Sequence, residues 1–156
     1  MNKIENNPRL ARAVEGLGTL LDLRLRDVMQ TDVISLEVED LLATAARTLI
    51  ENKINAVVVL KDKKVYSILS SWDLLHLSYL EAFSDKLDYL KSPLSEVIDE
   101  PGFESLEPDA TLAETASLMA RTNFRTIPVI DGDKLVGVFS IMDLVRTYHR
   151  LILEDR

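Results

Sequence analysis

The chain carries an internal repeat with a period of about seventy residues. The segment "KVYSILSSWDLL" at 64–75 recurs as "KLVGVFSIMDLV" at 134–145, and both contain a serine and an aspartate three residues apart. In the first copy the match runs without a gap from Ser35 to Asp73. Because equivalent segments fold alike, the repeat predicts two copies of one supersecondary unit.

Each copy predicts the same order of elements: a short helix, a brief strand, a helix, two strands and a final helix. Apolar residues at helical spacing indicate the helices, and short apolar runs between turn residues indicate the strands. The predicted elements of copy one are Leu25–Met29, a strand near Val33–Ile34, Asp40–Asn52, Ala56–Leu60, Val65–Leu69 and a helix after the Ser-x-x-Asp motif. Those of copy two are Leu94–Ile98, a strand near Phe103, Thr111–Thr122, Thr126–Ile130, Leu135–Phe139 and a second such helix.

Local features refine these predictions. Asp131-Gly132 is typical of a tight hairpin turn, whereas the equivalent KDKK at 61–64 is a weaker turn sequence. Asn7-Pro8 predicts the start of an N-terminal helix, and the apolar spacing within 83–90 indicates that the connection between the copies continues as a helix. The long helix of copy one should face the core with one apolar stripe, formed by Leu42, Ala45, Ala46, Leu49 and Ile50.

The predicted fold class is α/β, with two tandem β-α-β-β-α units and an added N-terminal helix. Three strands and two helices cannot cover both faces of their sheet, so the copies should pack on each other about an approximate two-fold axis. The predicted boundaries are 1–23 for the N-terminal helix, 24–80 for copy one, 81–92 for a helical linker, 93–150 for copy two and 151–156 for the end of the last helix.

Composition excludes several classes of function. The 156 residues carry a net charge of −8 and no cysteine, so disulfides, thiolate nucleophiles and thiolate metal sites are excluded. An acidic body disfavours nucleic-acid binding, and no apolar run approaches the ~20 residues that cross a bilayer. Without a secretory signal pattern, a cytoplasmic location is expected. No metal-ligand spacing, phosphate loop or nucleophile elbow indicates an enzyme.

The Ser-x-x-Asp motif has two interpretations. As a capping box, its serine accepts from a free helix N–H and its aspartate favours the positive end of the helix. As a binding element, the helix start attracts a phosphate, while the carboxylate accepts hydrogen bonds from a pair of ribose hydroxyls. Spacing alone favours capping and leaves binding open.

The duplicated order of elements, together with "RTIPVIDGDKLVGVFSIMDL" at 125–144, resembles the cystathionine-β-synthase (CBS) domain family, and two tandem copies resemble a Bateman module. The resemblance covers about 25–79 and 94–148. It implies a cleft between the copies for AMP, ADP, ATP or S-adenosylmethionine. Such a ligand would act as a regulatory signal, and no cofactor is required.

The resemblance also implies binding residues at two sites. Site two would use Ser140, Asp143, Gly102, Phe103, Arg125, Thr126, Ile127 and Pro128. Site one would use Ser70, Asp73, Asp32, Val33, Ile34, Ala56 and Val57. Copy one departs from the family pattern, with Ser67 where copy two has Gly137 and Val58 where copy two has Pro128, so site two is expected to bind more tightly. Arg125 is the one evident cation near it, which favours a monophosphate, adenosine or a sulfonium ligand over ATP, with AMP as the favoured ligand.

The sequence therefore predicts a regulatory module that senses an adenosyl ligand and signals through a change in packing or dimerisation to an unidentified partner protein. The alternative is a ligand-free interaction scaffold whose motifs are only helix caps. A homodimer is expected, because apolar residues on the helices after the motifs exceed what one module covers. These residues are Leu77, Tyr79, Leu80, Val145, Tyr148, Leu151 and Ile152.

Overall fold

The computed structural model describes residues 8–81, 89–98 and 102–151. In chain order, its elements are α1 (Pro8–Asp22), α2 (Leu25–Val28), β1 (Ser35–Glu37), α3 (Leu42–Asn52), β2 (Ala56–Lys61), β3 (Lys64–Ser70), α4 (Ser71–Glu81), a 3₁₀ turn (Tyr89–Lys91), α5 (Leu94–Val97), α6 (Leu112–Thr122), β4 (Thr126–Asp131), β5 (Lys134–Ser140) and α7 (Ile141–His149). This is the predicted α/β order. Most of the helix predicted for the linker lies outside the described residues, which resume at the 3₁₀ turn.

The chain divides into two compact units that cut across the repeat. The first takes its described residues from Met1–Thr31, Ser105–Gly132 and Val136–Arg156, and the second from Asp32–Glu104 and Asp133–Leu135. Each unit therefore combines one copy's central elements with the segment that precedes the first strand of the other copy. We call these the lead-in segments, residues 24–31 of copy one and 93–104 of copy two.

The lead-in segments dock at the starts of the long helices. In the first unit the Leu25 amide donates to the Ala110 carbonyl at 2.9 Å, immediately before α6. In the second unit the Leu94 amide donates to the Asp40 carbonyl at 2.8 Å, immediately before α3. Leu25 and Leu94 are fully buried. Each long helix thus begins against a segment that is distant in sequence, an arrangement that local patterns do not predict.

Copy one forms a three-stranded sheet in the order β1-β2-β3. Strand β1 pairs in parallel with β2, with Ser35 opposite Val58, and β2 pairs in antiparallel with β3. The first strand was predicted near Val33–Ile34, and it begins one residue later. This sheet brings the end of β3, and with it the first Ser-x-x-Asp motif, beside the start of β2, where Ala56 lies opposite Ser70.

Copy two retains only a two-stranded sheet, β4-β5, and its predicted first strand is reduced to a single parallel bridge between Leu106 and Val129. The prediction near Phe103 was therefore wrong in both position and extent. Two prolines explain the loss. Pro108 stands where Val38 donates its amide to Leu60 in copy one, and Pro128 stands opposite the strand. Neither proline has an N–H to extend the pairing.

Each unit has its own apolar core. The predicted stripe of α3 is largely confirmed, since Leu42, Ala45 and Leu49 are buried, but Ile50 is 76% exposed and does not belong to it. The buried core of the second unit consists of Val38, Leu42, Ala45, Leu49, Val57, Val59, Leu69 and Leu94. That of the first unit consists of Leu20, Leu25, Leu112, Leu118, Met119, Ile127, Val129 and Phe139.

The two hairpins turn differently. In copy two Gly132 has a φ of 59°, as a glycine at the first central position of a type II′ turn does. In copy one Asp62 and Lys63 have φ values of 51° and 64°, so two residues with side chains occupy the left-handed region that favours glycine. Within the described ranges, no helix combines the length and apolar character needed to cross a bilayer.

Candidate functional site

Both Ser-x-x-Asp motifs form capping boxes at the starts of their helices. In copy two the Ser140 amide and hydroxyl donate to Oδ2 of Asp143 at 2.8 and 2.6 Å, and the Asp143 amide donates to Ser140 Oγ at 3.3 Å. In copy one the corresponding distances between Ser70 and Asp73 are 2.7, 2.5 and 3.2 Å. The capping interpretation is therefore confirmed. It uses only one oxygen of each carboxylate.

The second oxygen distinguishes the two copies. Oδ1 of Asp143 accepts a hydrogen bond from Nε2 of Gln30 at 2.7 Å and another from Nη1 of Arg146 at 3.2 Å. The Asp143 side chain is 8% exposed. For Asp73, a partly buried residue, no donor to Oδ1 is found among the residues that the structure describes. Copy one thus keeps a carboxylate acceptor that copy two has already used.

Gln30 reaches Asp143 because the lead-in segment crosses β5. The Gln30 amide donates to the Val138 carbonyl at 2.9 Å, and the Val138 amide donates back at 2.9 Å. At Gly137 an added Cβ would lie 2.5 Å from Met29 Sδ and 2.9 Å from the Gln30 carbonyl oxygen. Glycine at 137 is therefore required for the close approach of this segment.

At the equivalent position of copy one, Ser67 contacts the other lead-in segment through its side chain. Ser67 is 5% exposed, and its hydroxyl donates to the Gly102 carbonyl at 3.3 Å. The serine side chain thus makes a hydrogen bond to the other lead-in segment, in the place where Gly137 leaves room for Met29 and Gln30. Because of Ser67, the family pattern predicted weaker binding at site one. The contact with Gly102 shows that the fold accommodates this serine.

The residues predicted for site one fall together in the second unit. The lead-in contacts differ from the prediction for site two, however. Gly102 and Phe103 belong to the second unit, where Gly102 meets Ser67, whereas Ser140 and Asp143 belong to the first. The residue that the structure places on Asp143 is Gln30, from the lead-in segment of copy one. The prediction had instead assigned to site two the lead-in segment of copy two itself.

Some predicted binding residues are in the cores. Ile127 is 0% exposed and Val57 is 1% exposed, and Pro128 is buried as well. The side chains of these residues support the strands and present no surface to a ligand. The predicted residues that retain exposed or partly exposed surface are Asp32, Val33, Ile34, Ala56, Ser70, Asp73, Gly102, Phe103, Arg125, Thr126 and Ser140.

An open cleft of about 550 Å³ adjoins Asp143 within the first unit. It lies between the lead-in segment of copy one and α7, and it is lined by Val28, Gln30, Asp143, Val145, Arg146, Thr147, His149 and Arg150. Its basic side chains were missed by sequence reasoning, which counted only Arg125. The signal was present, because residues 143, 146 and 150 recur at helical spacing along one face.

The described residues contain no group of three or more histidine, aspartate or glutamate side chains that could hold a metal ion. In the same part of the chain, every buried side-chain nitrogen or oxygen has a hydrogen-bond partner. The buried polar atoms of the two motifs are thus satisfied without a ligand, whereas Oδ1 of Asp73 has no donor among the described residues. Chemically, the motifs offer carboxylate acceptors beside helix starts and, in copy two, nearby guanidinium donors.

Solved structures share this fold over about four fifths of the chain. The CBS-domain containing protein ATU1752 from Agrobacterium tumefaciens is 26% identical with a TM-score of 0.69, covering 80% of this chain and 98% of its own. The CBSX2 structure in complex with AMP is 23% identical, with a TM-score of 0.67 and coverage of 79% and 93%. The CBS domain pair of protein MJ0100, in complex with 5′-methylthioadenosine and S-adenosyl-L-methionine, is 20% identical, with a TM-score of 0.69 and coverage of 81% and 95%.

Sequence relatives include much longer proteins. The chain is 30% identical over 125 residues to the A-adding tRNA nucleotidyltransferase of Aquifex aeolicus but spans 14% of its length. It is 31% identical over 118 residues to the homoserine O-acetyltransferase of Methanosphaerula palustris and spans 22% of that protein. The CBS domain family matches residues 25–79 and 94–150. With this match over both copies, and with the same fold in the solved relatives, the chain belongs to the CBS domain family as a tandem pair.

Proposed function

We propose that the chain is a regulatory module that binds an adenosyl ligand through its Ser-x-x-Asp motifs. The observation that carries the proposal is the geometry of Asp73. One of its oxygens is fixed by Ser70, and the other has no donor among the described residues. A carboxylate held in this way is oriented before binding, so it can accept from a ribose hydroxyl without reorganisation. Two relatives that share this fold hold AMP or S-adenosylmethionine in their crystals.

The ligand that the charges favour is anionic. Arg146 and Arg150 line the cleft beside Asp143, in addition to Arg125 at the start of β4. Guanidinium groups recognise phosphate through paired, charge-assisted hydrogen bonds. AMP therefore remains the favoured ligand over S-adenosylmethionine. With Arg146 and Arg150 added to Arg125, ATP also becomes a stronger candidate than it was with Arg125 alone. The module acts without catalysis, in the cytoplasm, on a partner that its chemistry does not identify.

Signalling would require a ligand that binds two arrangements of the protein with different affinities. We place the second arrangement in a homodimer, because the helices after both motifs expose apolar side chains. On α4, Trp72 is 71% exposed and Leu75 is 60% exposed; on α7, Val145 is 52% exposed. Of the apolar residues proposed from sequence, Leu77 instead packs against the core of the second unit and Leu151 against that of the first.

The dimer is tested by placing a charge on this apolar surface. Trp72→Lys should shift the protein from dimer to monomer in sedimentation velocity at micromolar concentration, because a lysine cannot be buried there without a partner. Ile50→Lys is the matched control, since Ile50 is a similarly exposed apolar residue that belongs to α3 and not to a motif helix. A monomeric parent protein would contradict the dimer.

The alternative function is a scaffold that binds no ligand. The capping boxes favour it, because they explain the duplicated serine and aspartate without any ligand. A thermal-shift series with AMP, ADP, ATP and S-adenosylmethionine, with and without Mg²⁺, separates the two functions. Binding should raise the melting temperature, since a ligand that binds only the folded state stabilises it. If no ligand raises it at millimolar concentration, the scaffold is supported.

Asp73→Ala connects the response to the site. It should weaken AMP binding by about tenfold or more, corresponding to the ~1.5–3 kcal/mol of a hydrogen bond to a charged group. The substitution also removes part of a helix cap, so it needs a control of the same kind. Glu114→Ala opens the capping box that Thr111 forms at α6, far in sequence from either motif. It should lower stability without changing AMP affinity.

A further inference from the structure

We propose that Gln30 is an autoinhibitory latch on Asp143, which a ligand must displace to use the second site. The inference rests on the proposed function and concerns the regulation of one of its two sites. Oδ2 of Asp143 is committed to Ser140. The carboxylate oxygen left for a ligand hydroxyl is Oδ1, and the Gln30 amide already donates to it at 2.7 Å. The two donors therefore compete for one acceptor.

The backbone of Gln30 holds the latch in position. Its amide and carbonyl are paired with Val138, both at 2.9 Å, and the preceding Met29 packs over Gly137. The side chain thus starts from a fixed point beside β5, close enough to reach Asp143 in the resting protein. Gln30 is nevertheless an exposed residue, so its amide can rotate into solvent and regain hydrogen bonds with water. Opening requires a side-chain rotation and no backbone movement.

Arg146 is a weaker competitor for the same oxygen. Its Nη1 lies 3.2 Å from Oδ1, and its side chain is 66% exposed. Because the guanidinium side of this ion pair is largely exposed, water competes with Arg146 for its contact to Asp143 and weakens it. In addition, a guanidinium released from Asp143 remains in the cleft, where it can pair with a phosphate. Loss of Gln30 should therefore change ligand affinity more than loss of Arg146.

The latch reverses the order of the two sites expected from sequence. Among the described residues no side chain donates to Oδ1 of Asp73, so no equivalent of the Gln30 latch is found there for site one. At site two only the fraction of molecules with Gln30 rotated away can bind, and the apparent affinity falls by that fraction. Site one should therefore fill first, and site two should respond at higher ligand concentrations. A single chain would thus respond to the same ligand over two separate concentration ranges, one for each site.

The test isolates site two in the full chain. Asp73→Ala weakens site one by about tenfold or more, and Gln30→Ala or Gln30→Met is added to it. Methionine keeps the length of the side chain and removes the donor. Isothermal titration with AMP, and separately with S-adenosylmethionine, should show about tenfold tighter binding for both Gln30 variants than for Asp73→Ala alone. Arg146→Gln in the same background is the matched control and should change the affinity for S-adenosylmethionine, which carries no phosphate, by less than twofold.

A second readout follows the latch itself. In the Asp73→Ala protein, the side-chain amide resonances of Gln30 should move on ligand addition, as the hydrogen bond to Asp143 is replaced by water. Equal or weaker affinity in the Gln30 variants would overturn the latch while leaving the proposed function intact. If the unmodified chain and all variants bind neither ligand, the proposed function fails and the latch fails with it. Circular dichroism spectra and melting temperatures of the unliganded variants confirm that they fold.

Discussion

Replacing Gly137 with alanine tests whether the lead-in segment of copy one is seated on β5. Glycine is normally unfavourable in a strand, and its φ at this position is one that any residue can adopt. Gly→Ala would ordinarily stabilise such a position by about 0.5–1 kcal/mol. Here the new Cβ would lie 2.9 Å from the Gln30 carbonyl oxygen, which is backbone and cannot rotate away. Whether Gly137→Ala stabilises or destabilises the protein therefore decides whether the lead-in segment lies this close to β5.

The expected cost follows from what must move. Met29 Sδ, at 2.5 Å, belongs to a flexible side chain and can give way cheaply. The Gln30 carbonyl can retreat only by straining its hydrogen bond to Val138. Overpacking of this kind costs about 1–3 kcal/mol, and a weakened hydrogen bond adds about 0.5–1.5 kcal/mol. After the intrinsic gain of alanine is subtracted, we expect a net loss of about 2 kcal/mol.

Urea unfolding followed by circular dichroism measures this difference, and a thermal melt should show a decrease of about 4–8 °C for a protein of this size. Ser67→Ala in copy one is the matched control. It keeps a Cβ already accommodated in the fold and removes only the hydrogen bond to Gly102, so it should cost about 0.5–1 kcal/mol. If Gly137→Ala is neutral or stabilising, the lead-in segment does not contact β5 as described.

Two further predictions concern local backbone and charge. Lys63→Gly should stabilise the protein by about 0.5–1 kcal/mol in urea unfolding, because lysine at a φ of 64° occupies a region costly for any residue with a Cβ; Lys61→Gly, outside the turn, should not. The hydrogen bond from the Thr111 amide holds the pKa of Glu114 below its ordinary value. Its stabilisation is therefore present above the ordinary pKa of about 4.3 and is lost as the pH falls through the lower folded value. Glu114→Gln should flatten the decline in stability in this acidic range, and an unchanged acid profile would contradict the capping role.

The sequence predicted the order of the elements because the repeat imposed the same pattern twice. Predictions of α3 and α6 were accurate to within two residues at the start, since their apolar spacing is regular. The first strands were placed less well. Their pairing depends on partners in β2 and β4, which a local pattern does not show. In copy two it is also limited by Pro108 and Pro128, because neither has an N–H to donate. Ile50 was misplaced for a related reason, because helical spacing cannot show where the buried face ends.

The candidate site was predictable only in part. The serines and aspartates of the two motifs were found because their spacing is that of a capping box, and the structure confirms that geometry. Gln30 carries no motif, and it meets Asp143 only because a lead-in segment docks with the other copy. No local pattern encodes that exchange. The arginines of α7 could have been found from their spacing relative to Asp143, but a solvated helix face has the same appearance.

The exchange of lead-in segments has a consequence for how the protein acquires its structure during synthesis. The chain between Thr31 and Ser105, about seventy residues, separates the parts that make up the first unit. At a synthesis rate of about 5–20 residues per second, Ala110 and Leu112 would be added several seconds after Leu25. Until then its apolar surface is available to chaperones or to a neighbouring nascent chain. Contacts this distant also make folding slow, so severing the polypeptide between its repeats should leave two fragments that become ordered only when mixed.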